Sequence, residues 1–380
     1  MFPGLFEHHL EEACKVWKKF LAALLVIPLF VLIISGCQGG DSSKEKQSNV
    51  VDTKAKPVDG NLKPLKKPTT VVIAEDDSAS AAGFYIANAK GYFKDYNIKI
   101  KFAKFSNSDD MLPALASGKV DIAGGISSAS FFNSMAQGID VKMIADKGHN
   151  LKGQSYFSFV VSKKMKNKIK SYKDFKGKKI AVSTKNGVDD YIFSKMLKHA
   201  GLSRKDVHFV LMPDFGNMVS AISNGTIDAA LQIEPMITQG EAEGIHYRFG
   251  DTTDYAPKAQ IAMVLGSPKF VDDEHAVALR FMVAYLKGVR DYNDAFVKGK
   301  GNKKEIIDIM TKNTSLKDPK IWNKVSVIGL DPNGKMFVNN IKDQYKWYKS
   351  RGGIDGNVNV NKAVDTSLAK EAVKVLGPYK

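Results

Sequence analysis

A chain of 380 residues, 44% apolar and 25% charged, is long enough for two or three folded units and too apolar for whole-chain disorder. Its two cysteines exclude a disulfide scaffold, a zinc ribbon and an iron–sulfur cluster, all of which need more thiols. The net charge of +16 rests on 51 Lys and only 5 Arg. The lysines run along the whole chain, which reads as a solvated surface with no nucleic-acid partner, since base and phosphate readers lean on arginine forks.

Phe20 to Ile34 reads FLAALLVIPLFVLII, uncharged and preceded by Lys15, Lys18 and Lys19. A basic stretch before an apolar run shorter than the ~20 residues of a membrane span has the form of an export signal. The next residues, Ile34-Ser35-Gly36-Cys37, resemble a bacterial lipobox. That resemblance implies loss of residues 1–36, lipid on Cys37 and an extracytoplasmic, membrane-anchored protein. Gln38 to Pro68 contains no aromatic residue and is rich in Ser, Lys, Asp and Gly. Such a segment buries too little apolar surface to fold, so 37–68 is expected to be the lipidated cysteine and a flexible tether.

Folded sequence is expected from Thr69. Val71–Ala74 reads as a buried strand, and Ala82, Tyr85, Ile86, Ala89 and Phe93 recur at helical spacing. A strand at 97–102, a short helix from Asp109 and a strand at 120–123 complete a βαβαβ half-unit. The pattern returns 107 residues later, where MLPALASGKVDIA (111–123) aligns with MVSAISNGTIDAA (218–230). Strands at 179–182 and 208–211 flank a helix carrying Ile192, Phe193, Met196 and Leu197. Two strand-like runs, 156–162 and 260–266, suit the crossovers of a two-lobe protein. From Pro268 onward helices are expected, at 272–290, 303–312, 319–328, 335–351 and 361–376. The fold class is therefore α/β, with two doubly wound lobes, a hinge and a helical C-terminal segment. Lobe 1 is discontinuous (69–160 and 262–380) and lobe 2 is 161–261.

The segments GFYIANAKGYFKDYNIKI (83–100), LASGKVDIAGGISSAS (115–130), DFKGKKIAVSTKNG (174–187), NGTIDAALQIEPMITQGEAEG (224–244) and GLDPNGKMFVNNIKDQYKWYKSRGGI (329–354) resemble solute-binding proteins of ABC importers. The subgroup is similar to the nitrate/sulfonate/taurine and thiamine-pyrimidine precursor binders. The resemblance implies a type II-like periplasmic-binding-protein fold, a small-molecule ligand, a permease with its ATPase as partner, and a monomer. It implies no cofactor and no metal. An enzyme on this scaffold, a thiamine-pyrimidine synthase, is disfavoured because such enzymes rely on a cysteine-rich iron motif and no cysteine follows Cys37.

In open α/β sheets ligands bind beyond the carboxyl ends of strands. Here those ends carry the loops 75–80, 124–130, 183–190 and 232–235. Hydroxyls and helix N-termini in Gly124–Ser128 and Ser183–Gly187 favour an acidic group. Asp76, Asp77, Asp189, Asp190 and Glu234 point instead to an amine, so a zwitterion such as an aminosulfonate, or a neutral or cationic heterocycle, is expected. The candidate ligand contacts are Asp76, Asp77, Ser78, Ser127, Ser128, Tyr156, Thr184, Asn186, Gly187, Gln232 and Glu234. No catalytic group is expected.

Overall fold

The computed structural model describes residues 50–380. The expected export signal, Cys37 and the first part of the tether lie outside the described residues. Ten strands are present among those described: β1 (Thr69–Glu75), β2 (Ile98–Lys104), β3 (Ile122–Ile126), β4 (Lys142–His149), β5 (Phe157–Ser162), β6 (Lys179–Val182), β7 (His208–Leu211), β8 (Ala229–Ile233), β9 (His246–Asp251) and β10 (Gln260–Gly266). They form two five-stranded sheets of the same pattern, β2-β1-β3-β10-β4 and β7-β6-β8-β5-β9. In each, three parallel strands are followed by an antiparallel strand that arrives from the other lobe.

The internal repeat has a physical explanation. Asp121 Oδ2 accepts from Val72 N (2.8 Å), and 107 positions on, Asp228 Oδ2 accepts from Lys179 N (2.9 Å). The Asp121 and Asp228 amides return bonds to the carbonyls of the same two residues, and the Asp121 and Asp228 carbonyls accept from Ser267 and Ser162. Each aspartate thus knots three strands together at the end of the sheet away from the loops that carry the candidate site.

The runs expected as crossovers are β5 and β10 themselves, each fully inserted in a sheet. Helices α1 (Ala82–Ala89), α2 (Met111–Ala116) and α3 (Ala129–Ala136) belong to lobe 1, and α4 (Val188–His199), α5 (Phe215–Asn224) and α6 (Met236–Ala242) to lobe 2. The long helix α7 (His275–Phe296) crosses α1 at backbone contact: a Cβ on Gly288 would lie 2.3 Å from the Gly83 carbonyl. Phe84 packs on Phe281 and Tyr285 there. The remaining helices are α8 (Lys303–Asn313), α9 (Pro319–Trp322), α10 (Val338–Ser350), α11 (Val360–Ala363) and α12 (Ser367–Leu376). The expected helix at 319–328 is thus one turn, and 361–376 breaks into two.

One apolar cluster covers a face of the first sheet with α1, α7 and α12. A second runs without interruption from α2 and α3 through Tyr348 into Phe157, Phe159 and Phe193 of lobe 2. Part of the expected tether is also laid on lobe 1. Leu65 is fully buried, Tyr96 donates to Asp59 (2.7 Å), Lys287 pairs with Asp59 (2.9 Å) and Arg280 donates to the Lys63 carbonyl. The charge of Asp59 is thus satisfied by partners far along the chain.

Candidate functional site

The carboxyl ends of the parallel strands in the two lobes face each other, as the topology of such sheets requires. From lobe 1, the turn after β1 brings Asp76, Ser78 and Ser80 together: the Ser78 hydroxyl donates to Asp76 Oδ1 (2.7 Å) and lies 2.7 Å from the Ser80 hydroxyl. Lys147, from the middle of β4, reaches into the same group. Its Nζ donates to Ser80 Oγ (2.9 Å) and Ser78 Oγ (3.3 Å) and sits 3.5 Å from Asp76 Oδ1. Gly124 on β3 makes room for it, since a Cβ there would fall 2.3 Å from Lys147 Cε. Tyr156, in the connection between the lobes, closes the set with its hydroxyl 3.1 Å from Ser80. Lys147, Ser78, Ser80 and Tyr156 are each at most 2% exposed.

Behind this set lies Glu75, fully buried. One carboxylate oxygen accepts from Asp77 N (2.6 Å) and the other has no partner, like the Tyr85 hydroxyl nearby. Burial pushes the Glu75 carboxyl up, against the Asp77 amide that donates to it. Burial also raises Asp77, opposed by Lys104 at 3.7 Å.

The two lobes meet through backbone. Ala129 N donates to Asn186 O (3.0 Å) and Val188 N to Ser127 O (3.0 Å), so Ser128 and Gly187 form a two-residue antiparallel bridge between lobes. On the other side Ala79 N donates to Glu234 O (2.9 Å). Asn186 holds a left-handed φ of 53°, and a Cβ on Gly187 would sit 2.7 Å from Thr184 Cβ. The space left between Ser78–Ser80, Tyr156, Ile233, Glu234 and Ile328 is too small for a water molecule. Two open grooves flank the contact. One, of about 750 Å³, runs between Asp76, Asp77 and Phe105 of lobe 1 and Phe215, Ser220 and Met236 of lobe 2. The other, of about 500 Å³, runs between Asp109, Asp110 and Asn133 and the Ser183–Asn186 loop, with Arg351 at its rim.

Of the expected contacts, Asp76, Ser78 and Tyr156 are brought together. Asp77 lines the larger groove. Ser127, Ser128, Asn186 and Gly187 form the interlobe bridge, and the two serine hydroxyls have taken partners: Ser128 Oγ donates to Asp109 (2.8 Å) and accepts from Phe131 N, while Ser127 Oγ lies 3.2 Å from Tyr348 OH. Thr184 lines the smaller groove. Gly124–Ile126, expected as part of an anion-binding loop, belongs to β3, and the Ile126 amide donates to Ser108 Oγ (3.0 Å).

Gln232 and Glu234, also expected as contacts, already hold partners within the chain. Gln232 donates to Phe215 O (2.9 Å) and is spent holding α5 to β8. The Glu234 carboxylate receives Arg248 Nη2 (3.0 Å), Ser326 N (3.0 Å), and both the hydroxyl and the amide of Thr238 (2.9 and 3.1 Å). Three of these donors converge on Oε1 and one on Oε2, so the carboxylate is held mainly by partners within the chain. Asp189 and Asp190, in the first turn of α4, are equally internal. Asp189 accepts from the Ser183 amide and hydroxyl, and Asp190 pairs with Arg204. Burial raises Asp189 to about 6 despite those hydrogen bonds.

Sequence reasoning missed Lys147 and Ser80. The strand KMIADKGH (142–149) breaks the apolar rule for a buried strand, and its charges hide it. Those charges are the signal: Asp146, Lys147 and His149 are each no more than 3% exposed. Asp146 accepts from His149 Nδ1 or shares its proton (3.0 Å), and it also accepts from Gln260 and from Asp331 N. Among the described residues there is no group of His, Cys, Asp and Glu arranged to hold a metal ion. Nor is any helix among them long and apolar enough to cross a membrane.

A family model described as NMT1/THI5 like matches residues 78–294. The chain is 27% identical over 224 residues to the 4-amino-5-hydroxymethyl-2-methylpyrimidine phosphate synthase of Candida albicans (strain WO-1), a match over 55% of this chain and 62% of that protein. The chain spans 62–65%, under two thirds, of the length of the curated relatives it matches. Among solved structures, it is similar to the periplasmic nitrate-binding protein NrtA from Synechocystis PCC 6803, with a TM-score of 0.67 at 15% identity over 82% of this chain and 90% of that one. It is also similar to the alkanesulfonate-binding protein SsuA from Xanthomonas axonopodis pv. citri bound to MOPS, with a TM-score of 0.63 at 17% identity over 79% and 99%. At these identities the likeness establishes the periplasmic-binding-protein fold.

Proposed function

From the premise that this chain belongs to the NMT1/THI5-like family, we propose that it is the extracytoplasmic solute-binding component of an ABC importer. In this reading it captures a small organic solute between its lobes and hands it to a permease with its ATPase, as a monomer held to the membrane by lipid on Cys37. The observation that carries it is the facing of two matched sheets across one buried polar set, Asp76, Ser78, Ser80, Lys147 and Tyr156. That set carries an ammonium, a carboxylate and three hydroxyls. It suits a solute with an acidic end for Lys147 and the serines and an amine end for Asp76, an aminosulfonate of the taurine kind. A bare anion would meet Asp76 and Asp77 as well as Lys147. With no water-sized space left in the closed arrangement, entry requires the lobes to part at the 128–187 bridge and the Ala79–Glu234 bond.

A second reading, a thiamine-pyrimidine precursor as ligand or product, is favoured by the relative named as a pyrimidine phosphate synthase. The absence of cysteine after Cys37 speaks for binding over synthesis. Calorimetry with taurine, an amine-free alkanesulfonate, nitrate and an aminopyrimidine separates these. Taurine binding weakened about ten- to a hundredfold by Lys147→Met and by Asp76→Asn is the expected result, the loss of one charge-assisted hydrogen bond each. Tight nitrate binding indifferent to Asp76→Asn overturns the zwitterion, and aminopyrimidine binding alone moves the assignment to the second reading.

A further inference from the structure

We infer that the far pole of lobe 2, segment 163–179, is a docking surface for the phosphate headgroups of an anionic lipid bilayer. The segment reads KKMKNKIKSYKDFKGKK, nine lysines against one aspartate and no arginine, so these seventeen residues carry +8 of the chain's +16. The even spread of lysine expected from composition fails here. Lys163, Lys164, Lys166, Lys168, Lys170, Lys173, Lys176 and Lys179 are exposed and Lys178 is half-buried. Among the described residues none of the nine is in an ion pair. The nearby carboxylates are engaged elsewhere. Asp174 accepts from Lys170 N, Ser171 N and Ser171 Oγ, Asp206 from Ser203 N and Oγ, and Asp228 from Lys179 N.

The fold fixes where this charge sits. Ser162 ends β5 and Lys179 starts β6, and both are tied to Asp228, just before β8. The candidate site follows the opposite ends of β6 and β8, one strand length away, roughly 15 Å. The lysines therefore leave the cleft free and contribute nothing to ligand capture. The surface carries point charges on flexible stems, and its one central aromatic, Tyr172, is packed inward against Phe159, Phe175 and Phe249. It offers no arginine fork for a nucleic acid. A fluid array of phosphates, which needs only density of positive charge, matches it.

The test uses the full chain on vesicles of phosphatidylcholine with about 30% phosphatidylglycerol, and on phosphatidylcholine alone. Amine labelling of Lys163–Lys179, read by mass spectrometry, reports on this surface whatever the N-terminus does. Expected are several-fold slower labelling on the anionic vesicles only, its relief in ~0.5 M salt, and loss of the protection of the remaining lysines in a Lys166→Gln/Lys168→Gln/Lys170→Gln/Lys173→Gln variant with an unchanged melting temperature. At about fivefold in partitioning per lysine near the surface, that variant loses at least tenfold. Equal labelling on both vesicles overturns the proposal. So does protection by soluble polyphosphate without protection by vesicles, which assigns the surface to a free anionic polymer.

Discussion

Lys147 and Asp76 show how a buried charge pair is held at the scale of single residues. The ammonium is fully buried and its contacts are an aspartate and two serine hydroxyls. Removing one member strands the other, which costs about 3–5 kcal/mol in buried pairs. Lys147→Met is therefore expected to destabilise by about 3 kcal/mol, and Lys147→Met/Asp76→Asn to recover most of it, as read by urea denaturation. Glu234→Gln acts differently. The side chain serves Arg248, Thr238 and Ser326, so the loss of about 1.5–3 kcal/mol for a charge-assisted bond is expected in folding stability, with ligand affinity held within about twofold. A hundredfold loss of affinity at unchanged stability refutes this placement. Asp189 sets a pH dependence. Its folded value of about 6 lies above the ordinary 3.8, so the folded state holds the extra proton between those values. Its contribution to stability is greatest below about pH 4 and falls as pH rises towards 6, by at most about 3 kcal/mol. Asp189→Asn should flatten that part of a stability–pH curve, and an unchanged slope counts against the buried acid.

At the scale of elements, the site depends on β4 and on what its neighbours give up for it. Gly148, next to Lys147, faces the ring of Tyr156, and a Cβ there would lie 2.3 Å from Cε2. Gly148→Ala must push the ring, and with it the hydroxyl on Ser80. A cost of about 1–3 kcal/mol follows from overpacking, visible as a lowered melting temperature together with weakened ligand binding. A melting temperature within a degree of wild type excludes this packing. The loop before α4 shows the opposite economy: its first-turn aspartates, read from the sequence as charge favouring an amine, hold Ser183 and Arg204 and so brace the loop that carries Asn186 to the bridge.

At the scale of the molecule, the apolar cluster that runs through both lobes and the backbone bonds at 79–234 and 127–188 leave no water-sized space beside Ser78–Ser80, Tyr156 and Glu234, with open grooves on either side. Under the proposed function a solute reaches the Lys147 set when the lobes separate, a hinge movement of the kind two-lobe binders use. Small-angle scattering is expected to show a larger ligand-free particle that contracts when solute is added. The melting temperature rises with it, by the equivalent of about 2.7 kcal/mol at a hundredfold excess over Kd. A particle of constant size with a ligand of measured affinity rules out this gating.

The sequence by itself determined the class and the repeat. Apolar runs at 71–74, 179–182 and 260–266 are strands because a buried strand leaves a continuous apolar record. The 107-residue repeat survives because Asp121 and Asp228 do the same work on Val72 and Lys179. Tertiary structure alone decided which polar residues gather into the candidate site. Polar residues look alike in sequence whether they await a ligand or serve a neighbour, and their partners, Arg248 and Ser326 for Glu234 or Tyr348 for Ser127, lie 14 to 221 residues away. Lys147 went unread for the complementary reason. Its strand is charged, and only the sheet order that places it beside β10, with Gly124 cleared on β3, turns a lysine at that position into a buried one.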